Sequence, residues 1–327
     1  MSGTGLSEFE LIARYLAPLA ANMPGALGLR DDAALLQPSP GMELVVTSDA
    51  MIEGVHFLRD DGPEVMAAKL LRVNLSDIAA KGARPIGYQL ILGLPEMPEE
   101  AWLAAFTASL AAEQTAFGFG LTGGDTVRSP GHMMLSVTMF GEVPIGGMLR
   151  RAGAMAGDDL YVSGCIGDAA LALLAKLRGR RFGAAASAHF ADRLNRPSPR
   201  IALGVSLRGL AHAAMDVSDG LVQDAGHLVA ASGLAAEIDL RQLPLSDPGA
   251  EALGHEPALL GEMVGGGEDY EILFAAPPGA RAQIDALGAD TRTRVTRIGR
   301  LDAGQGVRLL DRLGMPFTPP LRGFQHF

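Results

Sequence analysis

Between Pro144 and Gly157, Gly and Pro cluster and a run of alternating strand-like and helical segments breaks off, to resume beyond. This break constrains the fold more than any other feature. A chain of 327 residues exceeds the usual size of one hydrophobic core, and here the sequence itself marks where to divide. We expect an α/β protein of α+β type with two mixed domains, 1–147 and 148–327.

In the first half, Ser7-Glu8-Phe9-Glu10 reads as a capping box. It opens a helix with Phe9, Ile12, Leu16 and Leu19 or Ala20 on one face. Glu43–Thr47 reads as a strand running into Ser48-Asp49. Pro63 to about Gly82 is helical, with Leu71, Leu75 and Ile78 on one side. Ile86–Leu94 reads as a strand, Pro98–Phe117 as an Ala-rich helix, Gly118–Arg128 as a glycine-rich loop and Met133–Val143 as a strand. The second half alternates similarly: Leu160–Ser163, Asp168–Leu177, Ala213–Asp216, Leu221–Ala231, Ala236–Leu240, Tyr270–Phe274 and Val295–Ile298.

Charge and cysteine content remove several function classes. A formal net charge of −10, without any Lys/Arg run, does not suit a nucleic-acid binder. The single cysteine, Cys165, excludes an intramolecular disulfide and a Cys-rich zinc site. Glu8 and Glu10 stand where a signal peptide would be basic, and no apolar run reaches the ~18 residues that span a bilayer. A cytoplasmic location without membrane partners is the expectation.

The acidic residues are placed unusually, next to Gly or small polar residues at the ends of the expected elements. They are Asp31-Asp32 after GLR, Asp49 in TSDA, Asp77 in NLSD, Asp125 in TGGDT, and Asp216 and Asp219 in DVSDG. Any one alone reads equally as a helix cap or turn residue; Asp219 could cap a helix starting at Gly220. Six such sites together are what a hard cation such as Mg²⁺ requires, since it takes oxygen ligands and shares them with water and substrate phosphates. Asn74, Asp77 and Lys81 fall on one helical face, with Asn74 and Ser76 adding donors or oxygen ligands beside the carboxylate.

Two glycine-rich stretches accompany the carboxylates. In Thr122-Gly123-Gly124-Asp125, two glycines let a phosphate approach the backbone and Asp125 can hold the bridging ion. Gly265-Gly266-Gly267-Glu268-Asp269-Tyr270-Glu271 is a second loop that reads either as an acidic hairpin turn or as a ligand contact. His56 follows the TSD segment, and Arg128 and Arg151 offer planar donor forks for phosphate. No P-loop motif is present, and SGCIGD at 163–168 is not a dinucleotide fingerprint. The pattern points to phosphoryl transfer between two anions. Their like charges repel by about 4 kcal/mol per unit pair at 4 Å and an effective dielectric of 20, and cations relieve this.

GLRDDAALL, TSDAMIEGVHF, VNLSDIAAKGA, TGGDTVR, RPSPR, DVSDGL, GGGEDYE and the terminal GFQHF occur in this order over nearly the whole chain. In this the chain resembles the thiamine-monophosphate kinases of the aminoimidazole-ribonucleotide-synthetase superfamily. Arg30 stands where that family usually has Gly. The resemblance implies direct transfer from ATP to thiamine monophosphate with several Mg²⁺ ions. It also implies a homodimer whose N-terminal sheets form an interface barrel, beside a C-terminal α/β sandwich. Carried over by position, metal contacts fall on Asp31, Thr47, Ser48, Asp49, Asp77, Asp125, Asp216 and Asp219, with Asp77, Asp125 and Asp219 catalytic. ATP contacts fall on Gly124, Asp125, Arg151 and Ser218, and substrate contacts on His56, Glu268 and Phe324. Two alternatives stay open: another superfamily enzyme, or an ATP-binding regulatory protein without turnover. The lone Cys165 counts against selenophosphate synthesis.

Overall fold

The computed structural model describes residues 6–320 and Gly323. The chain divides into two compact units. One comprises residues up to Ile78 with Arg84–Gly146; the other comprises Ala79–Ala83 with the chain from Gly147 onward. Both are mixed α/β.

The N-terminal unit runs α1 (Glu8–Leu11), β1 (Met42–Ile52), α2 (Pro63–Ala80, whose last two residues cluster with the other unit), β2 (Arg84–Leu94), α3 (Glu100–Phe117), β3 (Leu121–Arg128) and β4 (Met134–Pro144). The capping box is present: Ser7 Oγ accepts from the Glu10 N–H, and the Glu10 carboxylate accepts from the Ser7 N–H at 2.8 Å. Beyond Leu11 the chain passes through a π-turn over Ile12–Leu16 and a 3₁₀ turn over Ala17–Ala20. The change of pitch shifts the apolar face, so Leu11, Tyr15, Leu16, Leu19 and Ala20 are buried while Phe9, expected inside, is 82% exposed.

The four strands lie in the order β1-β4-β2-β3 among the described residues, antiparallel except for the β2–β3 pair. Two expectations fail here. Asp49 lies inside a strand of 11 residues instead of after a short one. The TGGDT stretch is not a loop but strand β3, because Gly123–Arg128 pair with Gln89–Leu94. Both segments look like breaks because they lack apolar alternation, yet a sheet edge needs little of it. One face of the sheet buries Val45, Met51, Leu90, Leu92, Leu135, Val137 and Met139. Leu44, Val46, Ile52, Ile91 and Val127 stay exposed.

The C-terminal unit runs β5 (Asp159–Ser163), α4 (Asp168–Arg178), α5 (Ala184–Asn195), α6 (Ile201–Ser206), β6 (Ala213–Asp216), α7 (Leu221–Ser232) and β7 (Leu234–Asp239). It continues through α8 (Asp247–His255), α9 (Leu259–Gly265), β8 (Ile272–Ala276), α10 (Arg281–Asp290), β9 (Val295–Ala303), β10 (Gly306–Leu310) and β11 (Pro316–Phe317). These strands form one sheet, β11-β10-β7-β9-β5-β8-β6. Strands β5, β6 and β8 are buried throughout because the sheet is covered on both faces. Leu160 and Val162 join one core with α4, α5 and α7, while Tyr161 and Phe274 stack in the other core, at 5.1 Å between ring centroids. Among the described residues no helix is long and apolar enough to cross a membrane.

Candidate active site

In the N-terminal unit the predicted residues form two groups, one at each edge of the sheet. At the β1 edge, Thr47 Oγ1 donates to Asp77 Oδ2 at 2.5 Å, tying the strand to α2. Asn74, fully buried, accepts from the Asp49 N–H at 3.1 Å and donates from Nδ2 to the Leu70 carbonyl at 2.9 Å. Asn74 therefore docks α2 on β1 rather than adding a ligand beside the carboxylates. Burial, and then the nearby charge of Asp77, push the Asp49 carboxyl up to about 6. Two carboxylates are thus crowded beside a hydroxyl, a set of hard oxygen donors that fits Mg²⁺.

Ser48 does not join this group. Strand alternation turns its hydroxyl to the other face, where it donates to the Val137 carbonyl and lies 3.1 Å from Thr138 Oγ1. His56 sits in the turn following β1, with Nδ1 accepting from the Ile52 N–H at 3.1 Å. Lys81 leaves the face it was expected to share with Asp77, because α2 ends at Ala80; its Nζ donates to the Ala214 carbonyl at the start of the DVSDG strand.

The second group lies at the β3 edge. Asp31, Asp32, Gly123, Gly124 and Asp125 line a cavity of about 450 Å³, closed on its apolar side by Ile12, Leu16 and Leu29. That volume falls within the roughly 300–1,000 Å³ of small-molecule sites. Arg30 adopts φ −111°, ψ 0°, a conformation open to any residue, so the backbone does not need the glycine usual in the family. Gly124 is required for a reason other than phosphate approach: a Cβ there would lie 1.8 Å from the Leu90 carbonyl oxygen of β2. Register places Asp49, Val137, Leu90 and Gly124 in one row across all four strands. Three inter-strand spacings separate the ends of that row, about 14 Å, so the β1 and β3 groups of one chain do not share an ion.

In the C-terminal unit, Asp216 ends β6 and is 9% exposed. Asp219 does not cap α7, whose N-cap is Gly220. Instead Asp224, one turn into the helix, accepts from the Asp219 N–H at 3.0 Å. Burial pushes Asp224 up to about 7, and the Asp219 charge adds to this, while hydrogen bonds from the backbone of Asp219, Gly220 and Ser218 act in the opposite direction. Gln223 Nε2 donates to Asp219 Oδ2 at 3.1 Å. Ligand atoms of Asp219, Asp224 and His227 lie within 4.8 Å of one another, the one group of three acidic or imidazole side chains so close among the described residues. Asp224 and His227 were missed in the sequence, although their spacing of three within a helix that follows DVSDG was a usable signal.

The GGGEDYE stretch crosses directly against this loop. Glu268 N–H donates to the Ser218 carbonyl and Tyr270 N–H to the Val217 carbonyl, both at 2.8 Å. The crossing is close enough that a Cβ on Gly267 would lie 2.2 Å from the Ser218 carbonyl oxygen, and one on Gly220 within 2.9 Å of the Gly265 and Gly266 oxygens. Buried Asp269 accepts the Gly167 N–H through both oxygens, and burial holds its carboxyl well above the usual range. Arg151 is exposed in a bend next to Arg150, whose carbonyl accepts from Ala214. Phe324 lies outside the described residues.

Residues 30–143 match the domain family described as AIR synthase related protein, N-terminal domain, and residues 155–312 match AIR synthase related protein, C-terminal domain. Over 326 residues the chain is 42% identical to the thiamine-monophosphate kinase of Caulobacter vibrioides, covering 98% of this chain and 91% of that protein. The chain belongs to the thiamine-monophosphate kinase family. A crystal structure of thiamine-monophosphate kinase from Stenotrophomonas maltophilia superposes with a TM-score of 0.81 at 42% identity, covering 88% of this chain and 91% of that one. AaThiL, complexed with AMPPCP and TMP, gives a TM-score of 0.76 at 31% identity, covering 100% and 99%.

Proposed function

We propose that this chain transfers the terminal phosphoryl group of ATP directly to thiamine monophosphate, giving ADP and thiamine diphosphate. The observation that carries this reading is the crowding of Asp49 and Asp77 beside Thr47. A half-buried carboxylate held against a like charge resists ionisation, and a divalent cation is what makes such a pair favourable. Thr47, Asp49 and Asp77 would hold Mg²⁺ there, and the ion would supply charge neutralisation for the phosphates.

The chain's own groups then divide the remaining work. Asp31, Thr47, Asp49, Asp77 and Asp125 from the N-terminal unit, and Asp216 and Asp219 from the C-terminal unit, hold ions. Gly124, Asp125, Arg151 and Ser218 contact ATP. His56, Glu268 and Phe324 contact the thiamine phosphate. The acceptor is a phosphate oxygen already ionised near neutral pH, so in-line alignment suffices and no side chain has to remove a proton.

The active form in this reading is a homodimer. The β1 and β3 groups stand at opposite edges of one sheet, and its outer face leaves Leu44, Val46, Ile91 and Val127 exposed. A second copy that sets its β3 edge beside this β1 edge covers the apolar face and unites the two groups. Residues 1–147 would then bind ATP and metal and form the dimer, 148–327 would carry Asp216, Ser218, Asp219 and Glu268, and the protein would act in the cytoplasm. ADP release measured with ATP, Mg²⁺ and thiamine monophosphate, and with the acceptors of other superfamily enzymes, tests the reading. Release with another acceptor but none with thiamine monophosphate would sink it.

A further inference from the structure

The loop that carries Glu268 holds an unfavourable backbone conformation. Glu268 has φ +76° and Tyr270 has φ +51°, left-handed values that L side chains seldom adopt and that persist only where surrounding contacts dictate them. The strongest of those contacts comes from the next residue. Glu271 is fully buried, and its carboxylate accepts from Arg193 Nη2 at 3.0 Å, Arg200 Nε at 2.7 Å, Arg200 Nη2 at 2.6 Å and Ser163 Oγ at 2.6 Å. Arg193 also donates to Ser198 Oγ at 2.7 Å, so the RPSPR segment and the end of α5 both close on this one carboxylate. Both arginine side chains are largely covered, at 17% and 20% exposure. On the backbone side, the Glu271 carbonyl accepts from Val217 N–H at 2.8 Å, next to the two bonds that Glu268 and Tyr270 make to the same strand end.

Glu271 therefore faces no ligand. Its carboxylate has four donors, and a bidentate guanidinium fixes its plane as well as its place. Together with the backbone bonds of Glu268, Tyr270 and Val217, this grip pins the segment that carries Glu268. We propose that Glu271, gripped by Arg193 and Arg200, is a positioning residue that aims Glu268 at the thiamine phosphate. The proposal rests on the reading above in which Glu268 contacts that substrate, and it gives RPSPR a task that motif matching alone does not supply.

The test uses the full chain with ATP, Mg²⁺ and thiamine monophosphate, in wild type, E268Q, E271Q and the E268Q/E271Q double variant. Glu271→Gln keeps the shape and removes the charge the arginines grip. We expect it to raise KM for thiamine monophosphate about 10-fold while KM for ATP stays within about 2-fold, and to add nothing in the E268Q background. A purely structural role would shift Tm and both KM values together, and that result overturns the proposal, as does additivity with E268Q or an E268Q variant with unchanged KM. If E271Q does not fold, Arg193→Lys keeps the positive charge but loses the fork. It should raise KM for thiamine monophosphate about 3-fold in wild type and not in E268Q. An unchanged KM in R193K, or additivity with E268Q, would then overturn the proposal. Failure of the functional reading is separate: wild type itself would not turn over thiamine monophosphate.

Discussion

The two units place their acidic groups by opposite means. In the N-terminal unit the carboxylates ride on regular elements: Asp49 and Asp125 within strands, Asp77 on a helix, each fixed by ladder or helix hydrogen bonds. In the C-terminal unit Asp219 stands in a loop between Asp216, which ends β6, and Asp224 on α7, and two glycine stretches crossing in contact fix the backbone. The consequence is a different energetic state without metal. Burial and then the charge of Asp77 raise Asp49 with nothing acting against them, whereas at Asp224 the N–H donors of residues 218–220 act against burial and the charge of Asp219. A cation would relieve both pairs, but only the second already has backbone donors offsetting part of the cost.

The largest effect should come from the crowded pair. Asp77→Asn is expected to lower kcat by at least ~100-fold, because a weakened ion no longer stabilises the transferred charge. Near-normal turnover would reduce Asp77 to a partner of Thr47. Next comes the glycine crossing: Gly267→Ala forces a methyl group against the Ser218 carbonyl, and we expect at least ~10-fold loss of kcat/KM with a destabilisation of about 2–4 kcal/mol. Unaltered activity and melting would show the crossing to be loose.

A third experiment probes the opposed sheet edges. Asp49→Asn and Asp125→Asn chains, each inactive alone, should recover about a quarter of wild-type activity when dissociated and remixed, because half the dimers are mixed and each has one intact site. No recovery would place the two groups' work within single chains.

The smallest effect concerns pH and stability. The folded protein keeps a proton on Asp49 up to about pH 6, while the unfolded chain releases it near 3.8. Between these values the folded state binds more protons, so the metal-free protein should lose stability as pH rises from about 4 to about 6 and then level off. Asp49→Asn should accordingly stabilise the metal-free protein at pH 8 by on the order of 2 kcal/mol, measured by urea unfolding in EDTA, while removing activity. Equal melting of the two proteins would mean that the carboxylate is better solvated than its burial implies.

Much of this could be read from the residues because local chemistry dictates it. The capping box at Ser7, the helix from Pro63, the Ala-rich helix and the short strand at Leu160 all follow from periodicity and caps. What sequence obscured were elements whose partners lie far along the chain. Thr122–Asp125 looks like a loop until β2 is beside it, and the need for glycine at 124 shows only once the Leu90 carbonyl is seen in the space a Cβ would fill. Phe9 was misplaced because a π-turn changed the helical phase after it. In the site, the pairing of Thr47 with Asp77 spans 30 positions, and the grip of Arg200 on Glu271 spans 71. Neither separation leaves a mark in local spacing.

The glycine crossing also bears on engineering. One residue inserted on either side would slide a side chain into the point where the two backbones touch, so neither segment can change length independently of the other. Fused reporters and affinity handles therefore belong at the tip around Ala303–Gly306, between β9 and β10, where the chain is exposed.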